Sequence, residues 1–164
     1  MSTETKASVT TQVYEVYIRA TAQAIWDAIT SPEWTQRYGY KGHTTYDLRP
    51  GGAYRVRATP DMLKFGLPEV VVDGEVVEAD PPRKLVQTYR FLFGPDNVKE
   101  GFTLVLWEIE QTSAGFCRLT VTHELESAPI MASMVSSKFS EQGAGGWSWI
   151  LSDMKSLLET GRTM

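Results

Sequence analysis

The chain has 164 residues, 42% apolar and 22% charged, with 16 Lys and Arg against 20 Asp and Glu for a formal charge of −4. That length fits one domain able to bury a core without metal or disulfides. The acidic balance argues against the basic stripe that nucleic acid or an anionic membrane requires, since Arg49, Arg55 and Arg57 are the nearest approach to one.

Cys117 is the single cysteine, and with only His43 and His123 no zinc-ligand spacing exists. Neither metal nor cofactor is expected. The first segment, MSTETKASVTTQ, is polar and lacks the apolar centre of a signal peptide. No apolar run is long enough to insert in a membrane. These features predict a reduced cytoplasmic protein, with residues 1–12 a flexible polar tail and 13–164 one folded domain.

In chain order, Val13–Ile18 alternates β-branched and aromatic residues as a strand does. Thr21 is a suitable N-cap for a helix carrying Ile25, Ala28 and Ile29 on one face, and Ser31-Pro32-Glu33 restarts a second short helix carrying Trp34 and Tyr38. Strands follow at Tyr46–Arg49 and Ala53–Ala58 around Pro50-Gly51-Gly52, and at Val70–Ala79 and Lys84–Phe93 around Asp80-Pro81-Pro82. Two more, Gly101–Gln111 and Phe116–Glu126, flank Thr112–Gly115. About seven strands with short links predict an antiparallel meander. Pro129–Gly146 reads as a long connection, and its Met131, Met134, Phe139 and terminal glycines suit a flexible lid or an ordinary surface link. From Trp147, the positions Ile150, Leu151, Met154, Leu157 and Leu158 keep helical spacing, Ser148, Ser152, Asp153, Lys155 and Glu159 fill the polar face, and Gly161 ends the helix.

A curved sheet with a long helix across it leaves a gap that either fills with side chains or remains as a pocket. Strand alternation puts Tyr54 and Val56 in one inward row, and Leu85, Gln87, Tyr89 and Phe91 in another. Val105, Trp107 and Ile109 form a third, and Cys117, Leu119, Val121, His123 and Leu125 a fourth. With Trp34, Tyr38, Trp147, Leu151 and Met154, these rows supply the expected cavity residues. Trp107 and Trp147 are placed to meet across it. Large apolar surfaces with sparse polar tips suit an apolar ligand oriented by a few hydrogen bonds, and suit a packed core equally. His123 is the single catalytic candidate, with no visible orienting partner. Glu75 and Glu78 point to opposite strand faces, Glu108 and Glu110 read as solvent-facing, and Cys117 reads as buried and inert.

Four stretches carry a family resemblance: Ala24–Glu33, Asp47–Tyr54, Asp73–Val86 with its double proline, and Gly146-Trp147. Their order resembles the family named after the activator of the ninety-kilodalton heat-shock chaperone's ATPase, within the START-like or SRPBCC superfamily, over roughly residues 12–160. The resemblance implies an α+β helix-grip fold: a curved antiparallel sheet of about seven strands on a long C-terminal helix, with two short helices after the first strand. It also implies a START-like ligand-binding domain like small stand-alone bacterial proteins, some with a place in stress response. The founding co-chaperone carries a further N-terminal domain that this sequence does not show, so a chaperone partner is not expected. Three functions follow: carriage of a small hydrophobic or aromatic molecule, which is favoured; an enzyme of the polyketide cyclase or dehydratase kind using a cavity His or Tyr; and a co-chaperone-like protein-binding module. Exposed sheet edges leave room for a homodimer.

Overall fold

The computed structural model describes residues 10–136, 138 and 145–164. Strand β1 (Thr11–Ile18) leads into α1 (Ala22–Thr30), where the Thr21 hydroxyl accepts from Ala24 N at 3.1 Å as its cap. Ile25, Ala28 and Ile29 are buried, as their spacing predicts. The second helix, α2, is one turn (Pro32–Thr35) with Pro32 at its start, but the Ser31 hydroxyl bonds the Glu33 carboxylate rather than capping the backbone. Tyr38 lies beyond its end in a turn, not on the helix.

Strands β2 (His43–Tyr46), β3 (Ala53–Arg57), β4 (Val70–Asp80), β5 (Lys84–Phe91), β6 (Thr103–Gln111) and β7 (Cys117–Glu124) follow. The seven-stranded sheet runs β1-β7-β6-β5-β4-β3-β2, with every pairing antiparallel. It is the expected meander, closed on one side by β1 lying against β7. Register shifts at Val76/Glu78 and Val56/Arg57 mark bulges, which bend a sheet and sharpen its twist. Gly74 sits between them, where a Cβ would stand 2.0 Å from the Thr88 carbonyl oxygen, so the strands approach to a distance only glycine permits.

Further departures from the sequence reading lie in the strands and links. The strand expected at Tyr46–Arg49 runs instead over His43–Tyr46, because Gly52 N donates to Arg49 O at 2.8 Å and draws residues 47–52 into the turn. Short helices α3 (Pro60–Lys64) and α4 (Pro95–Glu100) occupy links to which the sequence reading assigns no element. The long connection begins with another, α5 (Pro129–Val135), whose first amides at Ile130 and Met131 donate to the Glu100 carboxylate at 2.8 and 2.9 Å.

Helix α6 (Gly146–Thr160) closes the structure and stops at Gly161 in the left-handed conformation. It grips the sheet through Trp147, whose ring lies 5.4 Å from Trp107 on β6, 5.8 Å from His123 on β7 and 5.8 Å from Tyr89 on β5. At its other end the Lys155 ammonium donates to Tyr17 O at 2.6 Å, and the Glu159 carboxylate accepts from Arg19 N at 2.8 Å. Asp153, expected on the solvent face, is 2% exposed. The chain folds back over it: its two oxygens accept from Gly39 N at 2.8 Å and Met164 N at 2.7 Å. No helix among the described residues is long and apolar enough to cross a membrane.

Candidate functional site

Between the bent end of the sheet and the start of α6 lies a cavity of about 380 Å³. The sheet contributes Tyr46, Tyr54 and Val56 from β2 and β3, Val71 and Val72 from β4, Tyr89 and Phe91 from β5, and Trp107 from β6. The loop Tyr38–Gly42 forms one rim, Met62 of α3 and Met134 and Val135 of α5 form another, and Trp147 and Ile150 of α6 cover it.

The sequence-derived residues divide by depth. Tyr38, Tyr54, Val56, Tyr89, Phe91, Trp107 and Trp147 line the cavity. Gln87, Val105, Val121, His123, Leu151 and Met154 are buried behind its wall in the core. Trp34 stands apart on α2, half-buried, with the Arg37 guanidinium 4.8 Å above its ring. Trp149 is half-buried as well. The residues that sequence reasoning missed include Tyr46, Tyr40, Lys41, Met62, Val71, Val72 and Ile150. Of the suggested lid, Phe139, Gly143 and Ala144 lie outside the described residues; the described flanks Met134, Val135 and Gly146 do border the cavity.

Aromatic rings dominate the wall. Tyr46 and Tyr54 stack at 4.7 Å, Tyr54 and Tyr89 at 6.0 Å, and Phe91 and Phe93 at 4.6 Å. Such contacts add to the area they bury by about 0.5–1.5 kcal/mol a pair. Gln87 organises the polar atoms behind them. Its side-chain oxygen accepts from the Tyr46 hydroxyl at 2.5 Å and from Trp107 Nε1 at 3.1 Å. An indole nitrogen can only donate, so this contact fixes which amide atom is the oxygen. The remaining amide nitrogen is buried without a partner among the described residues. Burial, reinforced by neighbouring phenols, holds the hydroxyls of Tyr46 and Tyr54 well above the ordinary 10. Burial does the same to Tyr38 and Tyr89. All four are neutral donors and acceptors at physiological pH.

His123 is wholly buried and is held at both ring nitrogens. Trp147 Nε1 donates to its Nδ1 at 3.1 Å, and its Nε2 lies 2.7 Å from the Thr103 hydroxyl oxygen. Because the indole donates, Nδ1 must be the acceptor and Nε2 must carry the hydrogen. That hydrogen goes to Thr103, whose own hydroxyl donates onward to Tyr89 O at 3.1 Å. The relay uses every valence of a neutral imidazole. Burial accordingly pulls the His123 pKa from 6.5 down to about 4. This histidine ties the first turn of α6 to the sheet and offers the cavity no free nitrogen.

Cys117 is fully buried, and desolvation raises its thiol, in keeping with an inert role. Glu108 and Glu110 are exposed, as alternation predicts. No group of three or more His, Cys, Asp or Glu able to hold a metal occurs among the described residues.

A family model described as "Activator of Hsp90 ATPase homolog 1-like protein" matches residues 19–159. No curated protein matches the chain. Among solved structures, Ms6760 from Mycobacterium smegmatis is similar at 19% identity and TM-score 0.63, over 93% of this chain and 92% of its own. CalU16 from Micromonospora echinospora is similar at 16% identity and TM-score 0.60, over 90% of this chain and 73% of its own. PFC0360w, an HSP90 activator from Plasmodium falciparum, is similar at 18% identity and TM-score 0.55, over 94% of this chain and 90% of its own. At these identities the likeness establishes the shared helix-grip fold.

Proposed function

Since the chain belongs to the Activator of Hsp90 ATPase homolog 1-like family, we propose that it binds and carries a small hydrophobic or aromatic molecule in the cavity between sheet and C-terminal helix. The observation that carries this reading is the cavity itself. A concave space of about 380 Å³, open to solvent at the rim, lies among the aromatic rows. Pockets of this size, apolar with a few convergent hydroxyls, are typical of small-molecule sites.

Two further features favour carriage over the alternatives. Acid–base chemistry of a cyclase or dehydratase needs a titratable group within reach of the reacting atom. Here the lining phenols are neutral, and the buried His123 has both nitrogens committed to structure. A protein-binding module would present an exposed aromatic, whereas Trp149, the tryptophan on the side of α6 away from Trp147, is half-buried.

Native mass spectrometry of the purified protein, followed by denaturing extraction, tests the reading. The expected result is a copurifying apolar molecule, or saturable uptake of a supplied aromatic probe with quenching of Trp107 and Trp147. Failure to bind any of a panel of two- and three-ring aromatics would refute it.

A further inference from the structure

Among the described residues the cavity wall carries one charged residue, Lys41, and its backbone is unusual. Lys41 has φ 62°, in the left-handed region that residues with a Cβ rarely adopt and that costs about 1 kcal/mol or more. A glycine would remove that cost, and glycines already stand at positions 39 and 42 of the same loop. The loop is tightly held: Lys41 N donates to Tyr38 O at 3.0 Å, the Tyr38 hydroxyl to Ala28 O at 2.7 Å, and Gly39 N to the buried Asp153 carboxylate at 2.8 Å. A lysine is thus fixed at the rim in a conformation its own side chain disfavours.

Lys41 is exposed, and its ammonium forms no ion pair among the described residues. A four-carbon stem lets the charge stand over the opening while its methylenes lie along apolar wall. Inside, Tyr46, Tyr54, Tyr89 and Trp107 offer rings and neutral polar tips but no cation. An anion placed deep among them would be left unpaired in a dry site, at heavy cost. A negative group on the ligand therefore has one favourable position, at the mouth.

We infer that the ligand is an aromatic carboxylic acid, its ring system enclosed by the cavity and its carboxylate held at the rim by Lys41. This rests on the carrier reading above and narrows it to an amphiphilic anion. The carboxylate keeps part of its hydration at the opening, so the ammonium contributes a charge-assisted hydrogen bond weakened by water and salt.

The test compares 9-anthracenecarboxylate with 9-anthracenemethanol, which have the same ring system and differ in charge. Affinities are read by quenching of tryptophan fluorescence in the wild type, Lys41→Asn and Lys41→Arg. Asparagine tolerates the left-handed conformation, and thermal melts report whether the variants fold. The wild type should prefer the carboxylate by about tenfold in dilute buffer, falling several-fold at high salt. Lys41→Asn should bring that ratio to about one, and Lys41→Arg should restore most of it. A carboxylate preference that survives Lys41→Asn, or alcohol binding with no carboxylate preference in the wild type, overturns the inference and leaves the carrier reading standing. Binding of neither probe by the folded wild type overturns the inference, and failure of the wider aromatic panel as well overturns the carrier reading.

Discussion

The relay through His123 makes acid a specific threat to this fold. In the unfolded chain an imidazole titrates near 6.5, whereas burial holds His123 near 4 in the folded protein. Between those values the unfolded state binds a proton that the folded state refuses, so the stability contributed by neutral His123 is complete above pH 6.5. It is lost as pH falls toward 4. One pKa unit is worth about 1.4 kcal/mol, so the full effect is about 3 kcal/mol, with about 2 kcal/mol lost between pH 7 and pH 4.5. Protonation strikes at one atom. Nδ1 would acquire a hydrogen facing the Trp147 indole N–H at 3.1 Å, turning an acceptor into a second donor.

Carboxylates contribute to acid sensitivity too, since Glu33 and Glu159 are held below the ordinary range by the Ser31 hydroxyl and the Lys155 ammonium. Urea unfolding of the wild type and His123→Gln at pH 7 and pH 4.5 separates the two sources, because glutamine can accept from Trp147 but does not titrate. The wild type should lose about 2 kcal/mol more than the variant over that interval. Equal losses would refute the relay, as would an NMR titration of the His123 ring with a midpoint near 6.5.

Other substitutions probe other parts of the same argument. Gln87→Leu leaves the Trp107 N–H and the Tyr46 O–H without their shared acceptor, and should cost about 2–4 kcal/mol by denaturant unfolding; a neutral effect would mean those donors find water or new partners. Gly74→Ala puts a Cβ 2.0 Å from the Thr88 carbonyl oxygen, so it should force β4 and β5 apart, destabilise by several kcal/mol and accelerate amide exchange across that pair. Lys41→Gly relieves the left-handed strain and should raise stability by about 1 kcal/mol in a thermal melt; a decrease would show that the lysine stem stabilises the rim by packing.

Legibility followed the range of the interaction behind each feature. Alternation along a strand is local, so spacing alone puts Tyr54, Tyr89 and Trp107 on the inner face, and cap chemistry marks Thr21 and Gly161 as helix ends. His123 was assigned to the correct row. Its fate was decided elsewhere, by a tryptophan 24 residues along the chain that covers it and takes its Nδ1. Asp153 shows the same limit: helical period puts it opposite Trp147, but the residues that bury it come from the 38–42 loop and the chain end.

The short helices were missed because five to seven residues are too few for an amphipathic period to register. Their traces are a proline at the first turn, at Pro60, Pro95 and Pro129, and for α3 the Thr59 cap before it. With them went Met62 as a cavity residue. Tyr46 was visible as an aromatic strand residue, but only its register opposite Tyr54 turns the two rings into a stacked pair. Nothing in the local sequence marks Lys41 as left-handed, because the Ala28 and Asp153 contacts that anchor the loop come from outside it.

The central claim is that the gap between sheet and helix accepts an apolar guest. Methyl-labelled protein titrated with 9-anthracenemethanol and followed by NMR addresses it residue by residue. The account predicts saturable shifts at Ile29, Val56, Val71, Val72 and Ile150, which line the cavity, and none at the exposed Val13 and Val77. Shifts concentrated at Val13 or Val77, or no saturable shift at any cavity methyl, would contradict it.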